Sequence, residues 1–165
     1  MRIAFAPLAL LPKGALLLMK EVARHVLRRP VVGVAIAAKN SAGEWLLIRR
    51  ADTGTWAMVG GTLEWGETLT DCVARELDEE AGVVASTFTR VVGVYSRPDR
   101  DPRFHAVTVV VECGVEAAVK PPMNPLEIRE VGFFRDEAVP SALAMGQSDM
   151  LACARGPLGA PVAFE

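Results

Sequence analysis

Gly61-Thr62-Leu63-Glu64-Trp65-Gly66-Glu67-Thr68-Leu69-Thr70-Asp71-Cys72-Val73-Ala74-Arg75-Glu76-Leu77-Asp78-Glu79-Glu80-Ala81-Gly82-Val83 is the stretch on which the fold turns. Thr68 with Asp71 three residues on has the spacing of a capping box, so it predicts a helix start. Leu69, Cys72, Val73 and Leu77 supply an apolar stripe at helical spacing, and Gly82 predicts the stop. On that helix Glu76, Glu79 and Glu80 fall at i, i+3 and i+4. All three carboxylates are therefore expected on one face, with neighbouring Cβ atoms about 6 Å apart, while Val73 and Leu77 point the other way, into the core. Stacked like charges weaken a helix by roughly a few tenths of a kcal/mol per pair, so something must offset them. Clustered carboxylate oxygens are what Mg²⁺ or Mn²⁺ prefer; a solvated acidic face is the alternative for three glutamates alone. The flanks favour the ion. Gly60-Gly61 permits a tight turn that brings backbone carbonyls close. Glu67 precedes the helix start, where negative charge is favoured, and Arg75 can hold a carboxylate in a fixed bidentate geometry.

Charge is distributed to match. Residues 61–83 carry seven acids and one base, a net −6, whereas the other 142 residues are +4 and the whole chain is −2. An acidic pocket in a mildly basic body suits a divalent cation bridging to an anionic substrate. The near-neutral total argues against a general nucleic-acid binder. At 165 residues, 51% of them hydrophobic, the chain is long enough for one domain with a full core. Cys72, Cys113 and Cys153 show no paired spacing, so neither a disulfide framework nor a zinc site is expected, and a reduced, cytoplasmic setting is the default.

The first residues are read separately. Ile3 to Met19 is mostly apolar behind Arg2, but Pro7, Pro12 and Lys13 interrupt it and no small-x-small cleavage site follows. No run reaches the 18 or so uncharged apolar residues that a membrane helix needs, so no membrane partner is expected. Lys13–Arg29 reads as a helix ended by Pro30. Residues 1–30 are taken as a helical extension that docks or forms a dimer contact, 31–155 as the domain proper and 156–165 as a tail.

Outward from the acidic helix, Val31–Ala38 and Trp45–Ile48 read as strands joined by the turn Asn40-Ser41-Ala42-Gly43. Val91–Tyr95, Ala106–Cys113 and Val131–Phe134 read as further strands, and Asp136 to about Ala154 as partly helical. Strands, helix, strands, helix is an α+β order that favours a sandwich over a doubly wound sheet.

Gly61, Glu67, Arg75-Glu76-Leu77, Glu79-Glu80 and Gly82-Val83 together resemble the full Nudix box, G-x5-E-x7-R-E-U-x-E-E-x-G-U, where U is a bulky aliphatic residue. Trp56 leading into Gly60-Gly61, and Glu127 to Phe134 followed by Asp136-Glu137, also look like that family. The resemblance covers about residues 31–140. Val59 departs from it, standing where the family often has Pro, and Cys72-Val73 replaces small residues. The resemblance implies an α/β/α sandwich with a mixed central sheet. It also implies hydrolysis of a nucleoside diphosphate linked to another moiety, by water attacking a metal-bound phosphorus. By carry-over, Glu76, Glu79, Glu80 and the Gly60 carbonyl bind Mg²⁺, or Mn²⁺, and Arg75 with Glu67 orients the helix. Gly61 and Gly82 are structural. Two or more such ions neutralise the diphosphate and activate a water, and a carboxylate accepts its proton. Besides the box acids, Glu127 is the first loop candidate for that base, Glu130 the second and Glu112 a distant third.

Selectivity lies outside the box. Ser96 to Arg103 carries Arg97, Arg100 and Arg103 on a Pro-stiffened loop that resembles the corresponding loop of small ADP-ribose pyrophosphatases. These arginines either grip phosphates and stack on a purine, or pair with Asp99 and Asp101 to fix the loop's own shape. Trp65 stacks on a base or covers the helix start. Tyr95 offers a ring platform, Phe104 is expected in the core, and His105 is not expected to be a ligand. Three readings follow: a hydrolase of ADP-ribose or a related nucleotide sugar, a pyrophosphohydrolase that clears oxidised (d)NTPs, and a non-catalytic ligand sensor. An intact box weighs against the third.

Overall fold

The computed structural model describes residues 29–116 and 120–165, together with Ala15, Met19, Val22 and Ala23, which are helical. The rest of the expected helix Lys13–Arg29, and with it the expected dimer contact of residues 1–30, lies outside the described residues.

Seven strands form one mixed sheet in the order β3-β2-β1-β5-β4-β7, with β6 on β2 as a branch. They are β1 Val31–Lys39, β2 Trp45–Arg50, β3 Trp56–Ala57, β4 Ser86–Tyr95, β5 Ala106–Val115, β6 Ile128–Phe134 and β7 Ala163–Phe164. Helix α1, Leu69–Ala81, covers one face and α2, Gln147–Ala154, the other. The layering is set by β1. Its Val34, Ile36 and Ala38 pack toward α1 with Leu46, Ile48 and Leu77, whereas Ala35 and Ala37 pack toward α2 with Leu47 and Leu151. A strand buried on both faces reads as an unbroken apolar run, and this one does.

The expected turn at Asn40–Gly43 is present, with the Asn40 carboxamide oxygen accepting from the amides of Ala42 and Glu44. The hairpin it closes is short: β1 and β2 pair only at Lys39 and Trp45 before diverging. Into the opening comes the segment after β3. The Ile36 amide donates to the Val59 carbonyl at 2.8 Å and the Val34 amide to the Gly61 carbonyl at 2.9 Å. Along its whole length β1 pairs instead with β5, in parallel. The Gly60-Gly61 turn is thereby fastened to the centre of the sheet, directly ahead of α1.

Helix α1 has both halves of its capping box, Thr68 receiving the Asp71 amide and Asp71 receiving the Thr68 amide. Gly82 ends it at φ 67°. One expectation fails here. Leu69 is exposed, because the first turn emerges from the exposed loop that leads into it, and the buried arc of the helix is Cys72, Val73, Glu76, Leu77, Glu80 and Ala81. The expected opposition of acidic and apolar faces fails as well: two glutamates share the core-facing side with the aliphatics, because the Gly60-Gly61 turn covers them there.

The second half keeps the expected strands with longer bounds, and Asp136–Ala138 and Ala144–Gly146 are short 3₁₀ turns before α2. Arg90 on β4 pairs with Glu112 on β5 at 2.7 Å and donates to the carbonyls of Ala154, Gly156 and Pro157. Glu112 therefore serves the end of α2 on the face away from the acidic helix, which removes it from the candidates for a general base. The tail contributes β7, parallel to β4. Among the described residues no helix is long and apolar enough to cross a membrane, and all three cysteines are free.

Candidate active site

A cavity of about 1220 Å³ opens between α1, the middle of β1 and the start of α2. At one end stand Gly60, Gly61, Arg75, Glu76, Glu79 and Glu80; at the other Asp101, Arg103, Phe104, Met145, Gln147 and Met150. Arg50 and Glu127 also line it.

The acidic end is built by burial. Glu76 and Glu80 are 7% and 8% exposed, while the Glu79 side chain keeps 45% of its surface. Three carboxylates thus reach one cavity as expected, two of them sunk into its floor and the third at the rim. Desolvation pushes Glu80 up to about 8; the Gly60 amide opposes this, and the charges of Glu76 and Glu127 add to it. Burial also raises Glu76 above the ordinary carboxylate range, against the pull of the Arg75 guanidinium. Glu80 accepts the Gly60 N–H at 3.0 Å, and the Gly60 carbonyl takes no part in the backbone bonds to β1.

Arg75 organises the rest. Its guanidinium donates to Glu67 at 2.7 and 3.1 Å, to Glu76 at 2.7 Å and to the Thr62 carbonyl at 3.2 Å, with Glu79 at 3.4 Å. Glu67, held at about 2 by this contact, is the carboxylate that aims Arg75 at the helix face. The two residues stand in the contact that the resemblance implied for them. Gly61 is required sterically, since a Cβ there would overlap the Glu76 carboxylate. Gly61→Ala is expected to push Glu76 aside and lower turnover about a hundredfold, the scale on which an ångström of misplacement registers; steady-state kinetics of that variant checks it.

The donor set fits a hard divalent cation. Glu76, Glu79 and Glu80 supply carboxylate oxygens and Gly60 a carbonyl, the ligand types of Mg²⁺ and Mn²⁺. Among the described residues Glu80 has no cationic partner in hydrogen-bond contact, so its buried carboxylate calls for either a proton or an ion. Among the described residues, no three Asp, Glu, His or Cys side chains stand together as a finished cage. Glu76 leans on Arg75 and Glu80 on the Gly60 amide, so a bound ion would draw these oxygens round and take further ones from the substrate.

Glu127, the loop candidate for the base, lines the cavity, and its charge is felt at Glu76 and Glu80. Glu130 is exposed against Arg49 and does not line this cavity. The arginine loop divides. Arg103 lines the cavity, held bidentate by Asp101. Arg97 faces away, toward Asp99 and Glu165. Arg100 touches the cavity, but all five of its N–H groups are taken by Glu165, Asp149 and the Gly146 carbonyl. It has no donor left for a phosphate. Trp65 is fully exposed outside the cavity, and Tyr95 is buried under Arg100 at 4.9 Å rather than offered as a platform. Phe104, expected in the core, lines the cavity instead. His105 bonds the Ser96 carbonyl.

Two buried polar residues of the cavity escape the sequence reading. Arg50 is 8% exposed and bidentate on Asp52. Its signal was parity: two residues on from Ile48 in a strand of period 2, it falls on the α1 side. Gln147 is buried with its side-chain oxygen accepting the Met58 amide at 2.8 Å, and no local pattern announces a partner 89 residues away.

The model of one family, described as the NUDIX domain, matches residues 27–152. An ADP-ribose pyrophosphatase of Methanocaldococcus jannaschii is 44% identical over 68 residues, 39% of this chain and 40% of that one. A putative 8-oxo-dGTP diphosphatase of Bacillus subtilis is 33% identical over 66 residues, 40% of this chain and 44% of its own length. The chain thus spans less than half the length of these two curated relatives. The crystal structure of an ADP-ribose pyrophosphatase from Streptococcus suis superposes with a TM-score of 0.67 at 24% identity, covering 83% of this chain and all of that one. At that identity the likeness concerns the fold.

Proposed function

This chain belongs to the NUDIX domain family, and from that premise we propose that it hydrolyses the pyrophosphate bond of a nucleoside diphosphate linked to another moiety. The substrate class we assign is ADP-ribose or a related nucleotide sugar, the products being a nucleoside monophosphate and a sugar phosphate. The observation that carries the activity is the buried pair Glu76 and Glu80 at one end of a cavity that also takes in Arg103 and Arg50. Carboxylates that need a cation share one space with two arginines, each held by an aspartate; a metal–diphosphate pair complements both ends.

The roles divide as follows. Glu76, Glu79, Glu80 and the Gly60 carbonyl hold Mg²⁺, with Mn²⁺ as substitute, and Arg75 with Glu67 keeps Glu76 aimed. When bound, the ion neutralises the diphosphate and makes water a better nucleophile. Glu127 accepts the proton of the attacking water. Arg103 and Arg50, each steered by an aspartate, face the anionic substrate. Substrate preference rests on the 44% identical relative and, within the arginine loop, on Arg103 alone, because Arg100 and Arg97 are engaged elsewhere.

A second reading, a (d)NTP pyrophosphohydrolase, is favoured by the Bacillus subtilis relative. A screen of ADP-ribose, sugar nucleotides, dinucleoside polyphosphates, NADH and oxidised dNTPs with Mg²⁺ separates the two. The expected result is cleavage of ADP-ribose or a nucleotide sugar in preference to triphosphates. Cleavage of triphosphates alone would give the site to the second reading, and no cleavage with an intact fold would leave a ligand sensor.

A further inference from the structure

The guanidinium of Arg100 is a junction with no spare donor. It is 9% exposed, stacked over Tyr95, and reaches two segments far from it in sequence, the turn at 146–149 and Glu165. Its Nε donates to one Glu165 oxygen at 2.7 Å and Nη2 to the other at 3.0 Å. Nη1 and Nη2 grip the two Asp149 oxygens at 3.0 and 2.7 Å, and Nη1 also donates to the Gly146 carbonyl at 3.0 Å. Asp149 and Gly146 flank the turn that opens α2, where Met145 and Gly146 are both left-handed, at φ 55° and 64°. For a methionine that conformation is strained and persists only where the surroundings impose it. Arg100 ties this turn in place, donating to the Gly146 carbonyl and gripping Asp149 at the start of α2.

The turn so held carries the far wall of the cavity. Met145 lies in that wall with its sulfur 3.1 Å from Arg103 Nη2, and Gln147 follows, locked to the Met58 amide. With Phe104 and Met150 the wall is apolar and polarisable, suited to a flat heteroaromatic group.

We propose that Glu165, acting through Arg100, is a positioning residue that sets Met145 and Gln147 in the wall that receives the planar group of the substrate. The proposal rests on the reading of the cavity as a nucleotide-diphosphate site. β7 pairs with β4 at Gly93 and Val94, the Ser96 hydroxyl donates to the Glu165 carbonyl at 2.8 Å, and the Glu165 amide donates to Val94. The sheet edge thereby fixes the Glu165 backbone, and the carboxylate transmits that fixed point to a turn 19 residues away in the chain.

Glu165→Gln keeps the shape of the side chain and removes the charge that accepts from both Nε and Nη2; Glu165→Ala removes the contact. The full chain, labelled with carbon-13 at the methionine methyls, reports Met145 directly, with Met123 at the acidic end as internal control. Expected is a displaced Met145 resonance with Met123 unmoved, and a KM for ADP-ribose raised about tenfold with kcat within about twofold, as a loosened binding wall gives. Should Glu165→Ala fail to fold, Glu165→Gln carries the test alone. A Met145 resonance in its wild-type place, or an unchanged KM, overturns the proposal; a tail that merely stabilises would lower Tm and leave both where they were. If the wild type cleaves no nucleoside diphosphate, the proposed activity falls, and the Met145 resonance still decides the positioning.

Discussion

Glu80→Gln is expected to lower kcat by on the order of a thousandfold, the scale of losing one electrostatic stabiliser in a water-poor site, and to leave the fold at least as stable. The two halves of that result have one cause. Glu80 is 8% exposed, and among the described residues its hydrogen-bond donor is the Gly60 amide. As a carboxylate without an ion it is costly to bury. Glutamine keeps the volume and the acceptor, removes the charge, and forfeits the ligand. The metal-free protein carries a pH signature of the same conflict. Burial raises Glu80 from 4.5 to about 8, so across that interval the folded state binds more protons than the unfolded one. Stability therefore falls as pH climbs from near 4.5 through about 8. Thermal melts in chelator are expected to slope downward over this range for the wild type and less for Glu80→Gln. Added Mg²⁺ is expected to raise the wild-type midpoint more at pH 8 than at pH 6 and to leave the variant nearly unmoved. Near-normal turnover in the variant, or an equal response to Mg²⁺, would remove Glu80 from the metal set.

Arg75→Ala is expected to cost both stability and turnover. The side chain is three-quarters buried and serves Glu67, Glu76 and the Thr62 carbonyl at once. Its removal leaves two poorly solvated carboxylates facing each other, which costs about 3 kcal/mol, the lower end for stripping one partner from a buried charge network. For a chain of this size that is a fall of about 10 °C in Tm. Turnover drops about a hundredfold because Glu76 loses its aim. Arg75→Lys is expected to recover little of either, since a single ammonium cannot make the fork that Glu67 and Glu76 share. Calorimetry and kinetics on the two variants check this; a lysine variant with wild-type kinetics would show that charge alone suffices there.

The acidic helix was legible in the chain almost to the residue. Thr68, Asp71 and Gly82 are local devices, each acting within a turn of itself, and they set the ends of α1 as written. The unbroken apolar run of β1 likewise foretold a strand covered on both sides. Leu69 misled because periodicity gives the direction of a face and not how far the covering sheet extends along it. The hairpin misled because Asn40–Gly43 specifies a turn and not the length of the pairing that follows.

The site was half legible. Spacing alone set Glu76, Glu79 and Glu80 on one side of a helix, and Arg75 beside them, because a helix fixes its own geometry every 3.6 residues. Which of the three would be buried was a matter of the sheet beneath, and so was the closeness of Gly60 to Glu80, which needs the insertion of residues 59–62 against β1. The arginine loop shows the same boundary more sharply. Arg97, Arg100 and Arg103 are alike by sequence and spacing, yet one lines the cavity on Asp101, one reaches outward, and one is wholly consumed by Glu165, Asp149 and Gly146. Local backbone chemistry thus determined the helix, its caps and its acidic face. Which charge reaches the cavity was decided by packing: Arg103 keeps an aspartate two residues away, whereas Arg100 and Arg97 are drawn off by partners 46 to 68 residues distant that only the folded chain brings close.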